Sequence, residues 1–501
     1  MKAGINMDIK YTSTRDNSVS VPASAAIIKG ISKDGGLFVP CSFPKLDKSF
    51  DELAKMNYRE VAYEVMKLFF TDYSEEELKG CIERAYDTKF DTEEIAPLAE
   101  VDRTYYLELY HGATIAFKDM ALSILPHLMT VAAKKNNVDK EIVILTATSG
   151  DTGKAALAGF ADVPGTRIVV FYPKYGVSKV QEKQMVTQKG ANVKVIGITG
   201  NFDDAQTGVK NIFGDDAFNA ELEKKGFCFS SANSINIGRL IPQVAYYVFA
   251  YSRLVLEGRI SAGDKINFTV PTGNFGNILA GYYAKKIGLP VNKLICASND
   301  NKVLFDFFKT GIYDRNREFI LTSSPSMDIL ISSNLERLIY FSAGADSNKN
   351  SELMKSLSAT GKYEITSEMK NEMADFVGGF CTQDEVSATI HDIFEKTGYV
   401  IDTHTAVASG VYSKYVKETG DNTPNVIVST ASPFKFTRSV IEAIENEKSD
   451  KDDFELITRL SKVANIPVPA AVSELESAPV LHDTVIDKED MEKSIASFLG
   501  L

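Results

Sequence analysis

A lysine among apolar neighbours, Lys118, is the residue whose type and setting most directly predict covalent chemistry in this sequence. It lies in LYHGATIAFKDMAL (109–122), just after Ala116 and Phe117. Apolar surroundings disfavour the charged form of a lysine, so its pKa falls and the free amine becomes nucleophilic, as a Schiff-base lysine requires. The alternative is a lysine whose aliphatic stem packs while its amine reaches water. Lys118 alone does not decide between the two.

The segment TATSGDTGKAALAGF (146–160) predicts an anion site at the junction of a strand and a helix. A helix N-terminus presents free backbone N–H groups that favour a carboxylate or a phosphate. Ser149 and Thr152 add hydroxyl groups. The segment is not a P-loop, because Thr148 stands where that motif needs glycine and Ala155 where it needs a hydroxyl. The alternative is an ordinary capped turn.

The segment VPTGNFGNILAGYYA (270–284) also joins a strand to a helix, through a loop of glycine and asparagine. Gly273 and Gly276 allow the backbone to approach a phosphate closely. The dinucleotide pattern GxGxxG is absent, since Phe275 occupies one of its glycine positions. The segment therefore predicts a cradle for a single phosphate, and a plain turn is the alternative.

The segment SSANSINIGRL (230–240) predicts a further anion site. Serines and asparagines, which cap helices readily, precede a long helical pattern here, and Arg239 falls in its first turns. Arginine recognises phosphate through two parallel hydrogen bonds. The alternative is a helix cap that happens to lie beside a surface arginine.

The histidines and cysteines predict no metal site and no disulfide framework, because no histidines are spaced as metal ligands and no CxxC pattern occurs. Two histidines, His111 and His404, lie in site-like segments and are candidate proton carriers. The histidines are His111, His127, His391, His404 and His482, and the cysteines are Cys41, Cys81, Cys228, Cys296 and Cys381.

The segments that must position these residues alternate between short apolar runs and helical patterns. The runs EIVILTA (141–147), RIVVFYP (167–173) and NVKVIGI (192–198) are each followed by a predicted helix, and INFTVP (266–271) and KLICAS (293–298) continue the pattern. Such alternation predicts an α/β fold, with a parallel sheet covered by helices on both faces. In such folds ligands bind beyond the carboxyl ends of the strands, where the segments above begin.

The region before these strands, residues 1 to about 98, indicates a mainly helical module. Apolar residues recur at helical spacing over 50–73, and a second helix is expected over 75–86. A glycine turn and a short apolar strand, KDGGLFVP (33–40), precede them. The region from about 300 to 395 gives no clear pattern.

Composition limits the partners of the chain. A net charge of -12 over 501 residues argues against non-specific nucleic-acid binding, which usually needs a basic face. No apolar run approaches the ~18 residues of a membrane span, and the first residues lack the apolar core of a signal peptide. We therefore expect a cytoplasmic protein with no nucleic-acid or membrane partner.

Taken together, the motifs resemble the threonine synthase family of pyridoxal-phosphate (PLP) enzymes, which is related to the tryptophan synthase β chain. The similarity runs through nearly the whole chain. It is carried, in order, by YTSTRD (11–16), GLFVP (36–40), HGATIAFKDM (111–120), LTATSGDTG (145–153), YPKYGVSKVQEKQM (172–185), SSANSINIGRL (230–240), VPTGNFGNILAG (270–281) and STASPFKF (429–436). The order and spacing of these motifs are specific, although none of them suffices alone.

The resemblance implies the residues that hold the cofactor, pyridoxal 5′-phosphate. Lys118 forms a Schiff base with it, and Thr430 faces its pyridine nitrogen. Its phosphate is held by the backbone amides of Gly273, Asn274, Phe275, Gly276 and Asn277.

The resemblance also implies the substrate and its contacts. The family converts O-phosphohomoserine and water to threonine and phosphate by β,γ-elimination and replacement. Ser149, Asp151 and Thr152 lie where relatives bind the amino-acid carboxylate and the 3′-oxygen of the cofactor, so we expect Asp151 to contact the cofactor. The substrate phosphate is assigned to Arg239, Asn236 and Ser231, together with Lys183.

The expected architecture is a PLP fold of type II, with two open, mostly parallel sheets covered by helices, plus a mainly helical N-terminal domain. The N-terminal domain is expected over 1–98, a large PLP-binding domain over 99–140 and 232–501, and a smaller α/β domain over 141–231. Many members carry proline at the position of Ala113 and histidine at that of Ser432. Neither difference removes a chemical group from the lysine or the phosphate loop. We expect a monomer or a homodimer.

Two other functions stay open. A serine/threonine dehydratase or a cysteine synthase would share the fold without needing a second phosphate site, so SSANSINIGR and the N-terminal extension argue against them. A non-catalytic protein that binds PLP or a metabolite would be expected to lose the lysine or the phosphate loop, and both are present.

Overall fold

The computed structural model describes residues 8–148, 150–177 and 179–501. The described strands are β1 (Tyr11–Ser13), β2 (Asp16–Val21), β3 (Phe38–Pro40), β4 (Leu98–Val101), β5 (Thr104–Glu108), β6 (Glu141–Ala147), β7 (Thr166–Pro173), β8 (Val193–Thr199), β9 (Phe227–Ser230), β10 (Ile266–Pro271), β11 (Val291–Ser298), β12 (Ile312–Asp314), β13 (Lys362–Glu364), β14 (Phe376–Phe380), β15 (Asn425–Ser429) and β16 (Val485–Asp487).

The described α-helices are α1 (Ala23–Lys29), α2 (Phe50–Leu53), α3 (Tyr58–Phe69), α4 (Glu75–Ala85), α5 (Asp119–Leu122), α6 (Leu125–Lys135), α7 (Asp151–Phe160), α8 (Lys179–Val186), α9 (Phe202–Gly214), α10 (Asp216–Lys224), α11 (Ile237–Leu256), α12 (Gly276–Ile287), α13 (Val303–Thr310), α14 (Leu335–Ser342), α15 (Ser347–Thr360), α16 (Ser367–Glu372), α17 (Gln383–Thr397), α18 (Thr403–Thr419), α19 (Thr437–Glu445), α20 (Asp453–Ala464), α21 (Ala470–Ser473) and α22 (Met491–Leu499). Short 3-10 helices lie at Pro325–Met327, Pro433–Phe436 and Lys488–Asp490.

The larger sheet has six strands in the order β14-β11-β10-β15-β5-β4. Its neighbouring strands are parallel, except that β4 runs antiparallel to β5 at the edge. Every residue of β10 and β15 is buried, as expected for strands covered by helices on both faces. Helix α12 packs on β10 and β11 and against the long helix α11, and α18 packs across β10, β11 and β15.

The smaller sheet has five strands in the order β16-β8-β7-β6-β9, and all of its pairs are parallel. The two sheets and their helical layers confirm the predicted α/β fold with two open, mostly parallel sheets. No helix in the described ranges is both long and apolar enough to cross a membrane.

The C-terminal segment belongs to the smaller sheet. Strand β16 pairs with β8, and Met491, Ile495 and Leu499 of α22 share a core cluster with residues of β6, β7 and β8. The expected division into domains places this segment, within 232–501, in the larger unit. The sequence of β16 is only three residues long, so no periodicity links it to a sheet whose previous strand along the chain, β9, ends at Ser230.

The N-terminal region combines a three-stranded antiparallel sheet, β2-β1-β3, with four short helices. The predicted continuous helix over 50–73 is wrong, because α2 ends at Leu53 and α3 starts at Tyr58. Asn57 explains the break: its side chain accepts a hydrogen bond from the Glu60 amide at 3.1 Å, and Glu60 accepts one from the Asn57 amide at 2.9 Å. Such a capping box starts a new helix even where the apolar spacing continues.

The N-terminal region packs directly on the larger sheet's helices. Helix α3 lies along α11, and α1 lies against α6. One continuous core cluster includes Tyr11, Val65 and Phe69 from this region and Tyr247 and Tyr283 from α11 and α12. The N-terminal region therefore shares one hydrophobic core with the helices that cover the larger sheet.

Candidate active site

Lys118 is positioned by the segment that follows β15. The amide of Phe117 donates to the carbonyl of Thr430 at 2.8 Å, and the amide of Ser432 donates to the carbonyl of Ile115 at 3.0 Å. Ile115 has a φ of +51°, which is rare for a β-branched residue and stores strain just before the lysine. These hydrogen bonds hold the segment of Lys118 beside Thr430, which directly follows β15.

The amine of Lys118 lies in a nearly closed site, with 8% of the residue exposed. Its Nζ donates to Ser326 Oγ at 3.1 Å and lies 3.5 Å from Asp151 Oδ2. Burial lowers the pKa of Lys118, and the positive charges of Lys435 and Arg239 lower it further, while Asp151 opposes them. The predicted fall in the pKa of Lys118 therefore has a physical basis in the fold.

Asp151 is the carboxylate between two lysines. Its Oδ1 lies 3.3 Å from Lys435 Nζ and accepts from Gln181 Nε2 at 3.2 Å. Burial by itself would raise the pKa of Asp151, but Lys435 and Lys118 outweigh it and hold that pKa well below its usual value. Asp151 is therefore ionised and can only accept hydrogen bonds.

The turn between β6 and α7 is shaped by Thr148. Its Oγ1 accepts from the amides of Gly150 at 3.0 Å and Gly153 at 2.9 Å. Gly150 has a φ of +136°, a conformation that other residues rarely adopt. The turn carries Asp151 to the lysine and leaves Thr152 partly exposed beside it. Ser149, predicted to bind substrate, lies outside the described residues.

The loop Gly273–Asn277, predicted to hold the cofactor phosphate, joins β10 to α12. Phe275 adopts a left-handed φ of +64° and turns the chain into α12. A Cβ on Gly273 would come within 2.5 Å of the Ser326 carbonyl, so only glycine fits there. The two hydroxyls of Tyr246 and Tyr247 donate to Asn277 Oδ1 at 2.7 Å each, whereas the buried Asn277 Nδ2 has no partner among the described atoms.

Two residues of the segment 230–240 predicted to bind substrate, Asn236 and Ser231, form hydrogen bonds within the protein. Asn236 uses its side chain within the protein: Oδ1 accepts from the Gly238 amide at 2.9 Å, and Nδ2 donates to the carbonyls of Ile27 and Ser231. Ser231 Oγ accepts from the Asn233 amide at 3.2 Å. Both side chains therefore shape the loop, and a direct contact with substrate stays a prediction.

Arg239 carries a buried positive charge that has no carboxylate partner among the described residues. Only 4% of it is exposed, its Nη1 donates to the Ala232 carbonyl at 3.1 Å, and its buried Nε has no partner within the described part of the chain. Burial lowers the pKa of Arg239 to about 10. A buried guanidinium without a carboxylate is costly unless an anion binds it. Arg239 therefore marks an anion site close enough to influence the charge of Lys118.

Lys183 is placed apart from these groups. It lines a cavity of about 300 Å³ between α8 and the C-terminal segment, together with Tyr172, Lys174, Glu182 and His482. Gln181, two residues earlier on the same helix, is the side chain that reaches Asp151. Side chains two positions apart on a helix point to different sides. This explains why Gln181 reaches Asp151 and Lys183 does not. A contact of Lys183 with substrate stays a prediction.

The region from 300 to 395, which gives no pattern in the sequence, ties the predicted loops together. Asn334 donates from both its amide and Nδ2 to the Asn274 carbonyl at 3.1 Å, and from Nδ2 to the Ser234 carbonyl at 3.3 Å. Ser332 Oγ donates to the Gly273 carbonyl at 2.6 Å. The phosphate loop and the loop before Arg239 are thus held side by side.

His404, one of the candidate proton carriers, lies behind Ser326. Its Nε2 accepts from the Ser326 amide at 3.2 Å, and its Nδ1 faces Asp402 Oδ2 at 2.8 Å. These partners assign the proton to Nδ1. The other candidate, His111, lies between the carboxylates of Asp91 and Glu108.

Comparison with known proteins identifies the class that this fold and site define. Residues 91–432 match the family model described as pyridoxal-phosphate dependent enzyme. Residues 10–86 match the model of the threonine synthase N terminus, and residues 405–492 match the model of the threonine synthase C-terminal region. The chain belongs to the threonine synthase family of PLP-dependent enzymes, and its cofactor is pyridoxal phosphate.

Individual relatives agree with this assignment. The chain is 36% identical to the threonine synthase of Saccharomyces cerevisiae over 476 residues, which cover 88% of this chain and 91% of that protein. It is 40% identical to threonine synthase-like 1 of Homo sapiens over 435 residues, which cover 84% of this chain. The matched part spans only 58% of the length of that human protein.

Solved structures give the same result. The crystal structure of PLP-bound threonine synthase from Brucella melitensis superposes with a TM-score of 0.87 at 33% identity, covering 98% of this chain and all of that one. The yeast threonine synthase structure gives a TM-score of 0.88 at 32% identity, with 99% of both chains covered.

The described residues fit a bound PLP. Lys118 supplies a buried amine of lowered pKa, and the unpartnered Asn277 Nδ2 lies at the first turn of α12, whose free amides also attract anions. Gly273 leaves no room for a side chain between that loop and Ser326. The amine and the cradle are therefore within reach of one small anionic ligand.

Proposed function

We propose that this protein is a threonine synthase that converts O-phosphohomoserine and water to threonine and phosphate. The observation that carries the proposal is the buried Arg239, whose guanidinium has no carboxylate partner among the described residues and lies near the amine of Lys118. A PLP enzyme acting on free serine or threonine needs one phosphate cradle, for the cofactor. A second anion site beside the reacting amine fits a substrate with its own phosphate.

The charges of the site favour the binding of two phosphate groups, one from the cofactor and one from the substrate. Lys118 and Lys435 flank the carboxylate of Asp151, and Arg239 is close enough to lower the pKa of Lys118, so three basic groups accompany one carboxylate. Since the site is nearly closed to water, such an excess of positive charge favours the phosphates of cofactor and substrate. We assign the cofactor phosphate to the loop Gly273–Asn277 and the substrate phosphate to Arg239.

The roles of the remaining residues follow from their positions. Asp151 and Thr152 lie at the start of α7, whose N-terminus suits a carboxylate together with the neighbouring Ser149. Thr430 adjoins the Lys118 segment through its carbonyl, and its side chain is assigned to the pyridine nitrogen. The proposed site therefore takes residues from the strand ends of both sheets, as expected for an open α/β fold.

Bound PLP supplies an electron sink that stabilises negative charge on the substrate carbons. The Nζ atom of Lys118 takes the proton from the α-carbon, because burial keeps its amine available as a base. Arg239 binds the phosphate and stabilises its charge as it leaves the γ-carbon. One β-proton is lost as the phosphate leaves, and the γ-carbon gains a proton to become the methyl group. Water adds its hydroxyl to the β-carbon, the proton of that water goes to the released phosphate, and Lys118 Nζ returns the α-proton. The nearly complete burial of Lys118 limits the entry of other water.

Relative activity on two kinds of substrate tests the proposal. The value of kcat/KM is measured for O-phosphohomoserine and for free serine and threonine with the same purified, PLP-loaded protein. A threonine synthase favours the phosphorylated substrate by at least about a hundredfold, since a polar pocket left unpaired rejects the smaller ligand strongly. Greater activity on free serine or threonine would instead support a dehydratase or a cysteine synthase.

A further inference from the structure

Ser326 lies in the long connection between β12 and α14, and internal hydrogen bonds hold this loop in place. Asp328 closes it, accepting from Thr322 N at 2.9 Å and Thr322 Oγ1 at 2.7 Å. Asn299 and Asn301 donate to the same carboxylate at 2.7 and 3.0 Å. A loop with this many internal hydrogen bonds has a fixed shape, so the place of its Ser326 side chain is determined by the fold.

The outer side of the loop is fixed by α18. Thr403 Oγ1 donates to the Ser323 carbonyl at 2.7 Å, and His404 Nε2 accepts from the Ser326 amide at 3.2 Å. Asp402 in turn holds the His404 ring through Nδ1 at 2.8 Å. The backbone of Ser326 is thus oriented from one side while its hydroxyl faces the lysine on the other.

The hydroxyl of Ser326 has a defined hydrogen-bond direction. It lies 3.0 Å from Asp151 Oδ2 and 3.1 Å from Lys118 Nζ. Because Asp151 is ionised and has no proton to give, the hydroxyl must donate to it. Its lone pairs are then free to accept a hydrogen bond from the Lys118 amine.

We propose that Ser326 is a positioning residue for Lys118: its hydroxyl, held by Asp151, accepts a hydrogen bond from the lysine amine and keeps that amine in place in its proton-bearing form. This inference rests on the proposed function only for its kinetic consequence. The hydrogen bond between Ser326 and Lys118 forms within the protein, so its effect on the lysine amine is measurable without any substrate.

The expected consequence follows from the charged form that Ser326 stabilises. An acceptor beside an ammonium group favours the protonated state, so its loss lowers the pKa of Lys118. The other charged groups around Lys118 are Asp151 on α7, Lys435 after β15 and Arg239 on α11, with His404 on α18 beside Asp151. None of these residues is itself replaced in the serine variant, although Asp151 loses the hydrogen bond that it accepts from Ser326.

Competitive acetylation of the protein, freed of cofactor, measures this effect directly. Trace acetic anhydride is added over a range of pH, and mass spectrometry follows the acetylation of the peptide that contains Lys118. In Ser326→Ala the midpoint for Lys118 is expected to move to lower pH by about one unit, the size of a lost hydrogen bond to a charged group.

Two further variants serve as controls. Ser326→Thr keeps a hydroxyl and is expected to restore the midpoint of the native protein. Ser323→Ala removes a hydroxyl from the same loop that faces Gln383 rather than the lysine, and is expected to change nothing. An unchanged or raised midpoint in folded Ser326→Ala would overturn the proposal.

The kinetic readout separates this proposal from the proposed function. With PLP and O-phosphohomoserine, Ser326→Ala is expected to lower kcat by about tenfold to a hundredfold with KM nearly unchanged, since the hydrogen bond acts on the proton-transferring amine. A rise in KM at constant kcat would contradict the positioning role. If the native protein does not turn over this substrate, the proposed function fails while the acetylation result still decides the role of Ser326.

Discussion

Lys435 Nζ lies 3.3 Å from Asp151 Oδ1, with only 1% of the lysine side chain exposed. The same amine donates to the Thr114 carbonyl at 3.0 Å, which fixes it on the side of Asp151 opposite Lys118. One buried carboxylate therefore lies between two lysine amines, those of Lys118 and Lys435. The second lysine keeps Asp151 ionised and raises the cost of a charge on Lys118.

Replacing Lys435 by methionine is expected to raise the pKa of Lys118. The change removes a positive charge that disfavours the protonated amine, so the acidic limb of the pH profile of kcat, which reports the amine freed by the substrate, moves to higher pH by roughly one unit. The profile is measured with O-phosphohomoserine at constant ionic strength. Lys448→Met, at a surface lysine with 95% of its side chain exposed, is the control. A limb that stays in place in Lys435→Met would contradict this role.

Replacing Arg239 by methionine is expected to separate activity from stability. The variant loses the group assigned to the substrate phosphate, so kcat/KM falls by about a hundredfold to a thousandfold. The unfolding temperature should be unchanged or higher, because a buried charge without a carboxylate partner is removed. Kinetics and thermal unfolding are measured on the same preparations. Arg259→Met, at an exposed arginine, is the control.

Inorganic phosphate provides a second measurement on the same pair. It should raise the unfolding temperature of the native protein, since a ligand that binds only the folded state stabilises it. Arg239→Met should show a smaller rise. Equal rises in both proteins, together with near-native activity of the variant, would show that Arg239 does not bind the substrate phosphate.

The ion pair between Arg15 and Glu336 is expected to couple the N-terminal region to the active site. Arg15 Nε and Nη2 lie 2.9 and 2.8 Å from the two oxygens of the buried Glu336. Arg15→Met leaves that carboxylate with fewer partners and should lower the free energy of unfolding by about 1–3 kcal/mol, with partial exposure of Arg15 favouring the lower value. Urea unfolding measures it, and Lys10→Met, at a more exposed pair, is the control.

A loss of activity should accompany that loss of stability. The residue after Glu336, Arg337, donates from Nε to the Phe38 carbonyl at 2.9 Å and from Nη2 to the Ile235 carbonyl at 2.6 Å, and it also contacts Asn334. Asn334 holds the phosphate loop through Asn274. A destabilised Arg15→Met protein with unaltered PLP affinity and kcat would show that this link is only structural.

The pH dependence of stability should carry a contribution from His111. Burial would lower its pKa, but hydrogen bonds to Asp91 and Glu108 raise it from 6.5 to about 9. A group whose pKa is raised on folding stabilises the protein fully below its unfolded value, and that stability is lost as the pH rises through the folded value. The free energy of unfolding should therefore fall between pH 6.5 and about 9.

The variant His111→Gln keeps a polar side chain but has no charge to lose, so this part of the pH dependence should disappear. Urea unfolding at several pH values measures it. His391→Gln, where the ring faces the Ile444 carbonyl instead of carboxylates, is the control. The same slope in His111→Gln and in the native protein would rule out this contribution.

The sequence predicts the fold and cofactor well because strong local signals carry them. Buried strands followed by helices give the two mostly parallel sheets, and the backbone leaves no room for a side chain at Gly273, whereas a Cβ at Gly276 would make only ordinary contacts. The resemblance to the threonine synthase family and the PLP cofactor are confirmed by the family models. The break before Tyr58 is missed, because the cap at Asn57 competes with an apolar spacing that continues through it.

The site is predicted only where a residue lies next to a strand end. Ser326 contacts a lysine 208 residues earlier in the chain, and nothing in its own segment separates it from neighbouring serines. Asn334 and Lys435 likewise act through partners that only the folded chain brings close. Asn236 shows the opposite case, since its predicted contact with substrate competes with a helix cap that already uses its side chain.

The most direct test of the proposed reaction follows both products in water enriched in heavy oxygen. Purified protein is supplied with PLP and O-phosphohomoserine, and threonine and phosphate are quantified by mass spectrometry, with Lys118→Ala as the inactive control. We expect equal amounts of both products, with the heavy oxygen in the threonine hydroxyl and not in the phosphate, because water adds at the β-carbon. Labelled phosphate with homoserine, or phosphate with no threonine, would contradict the proposed function.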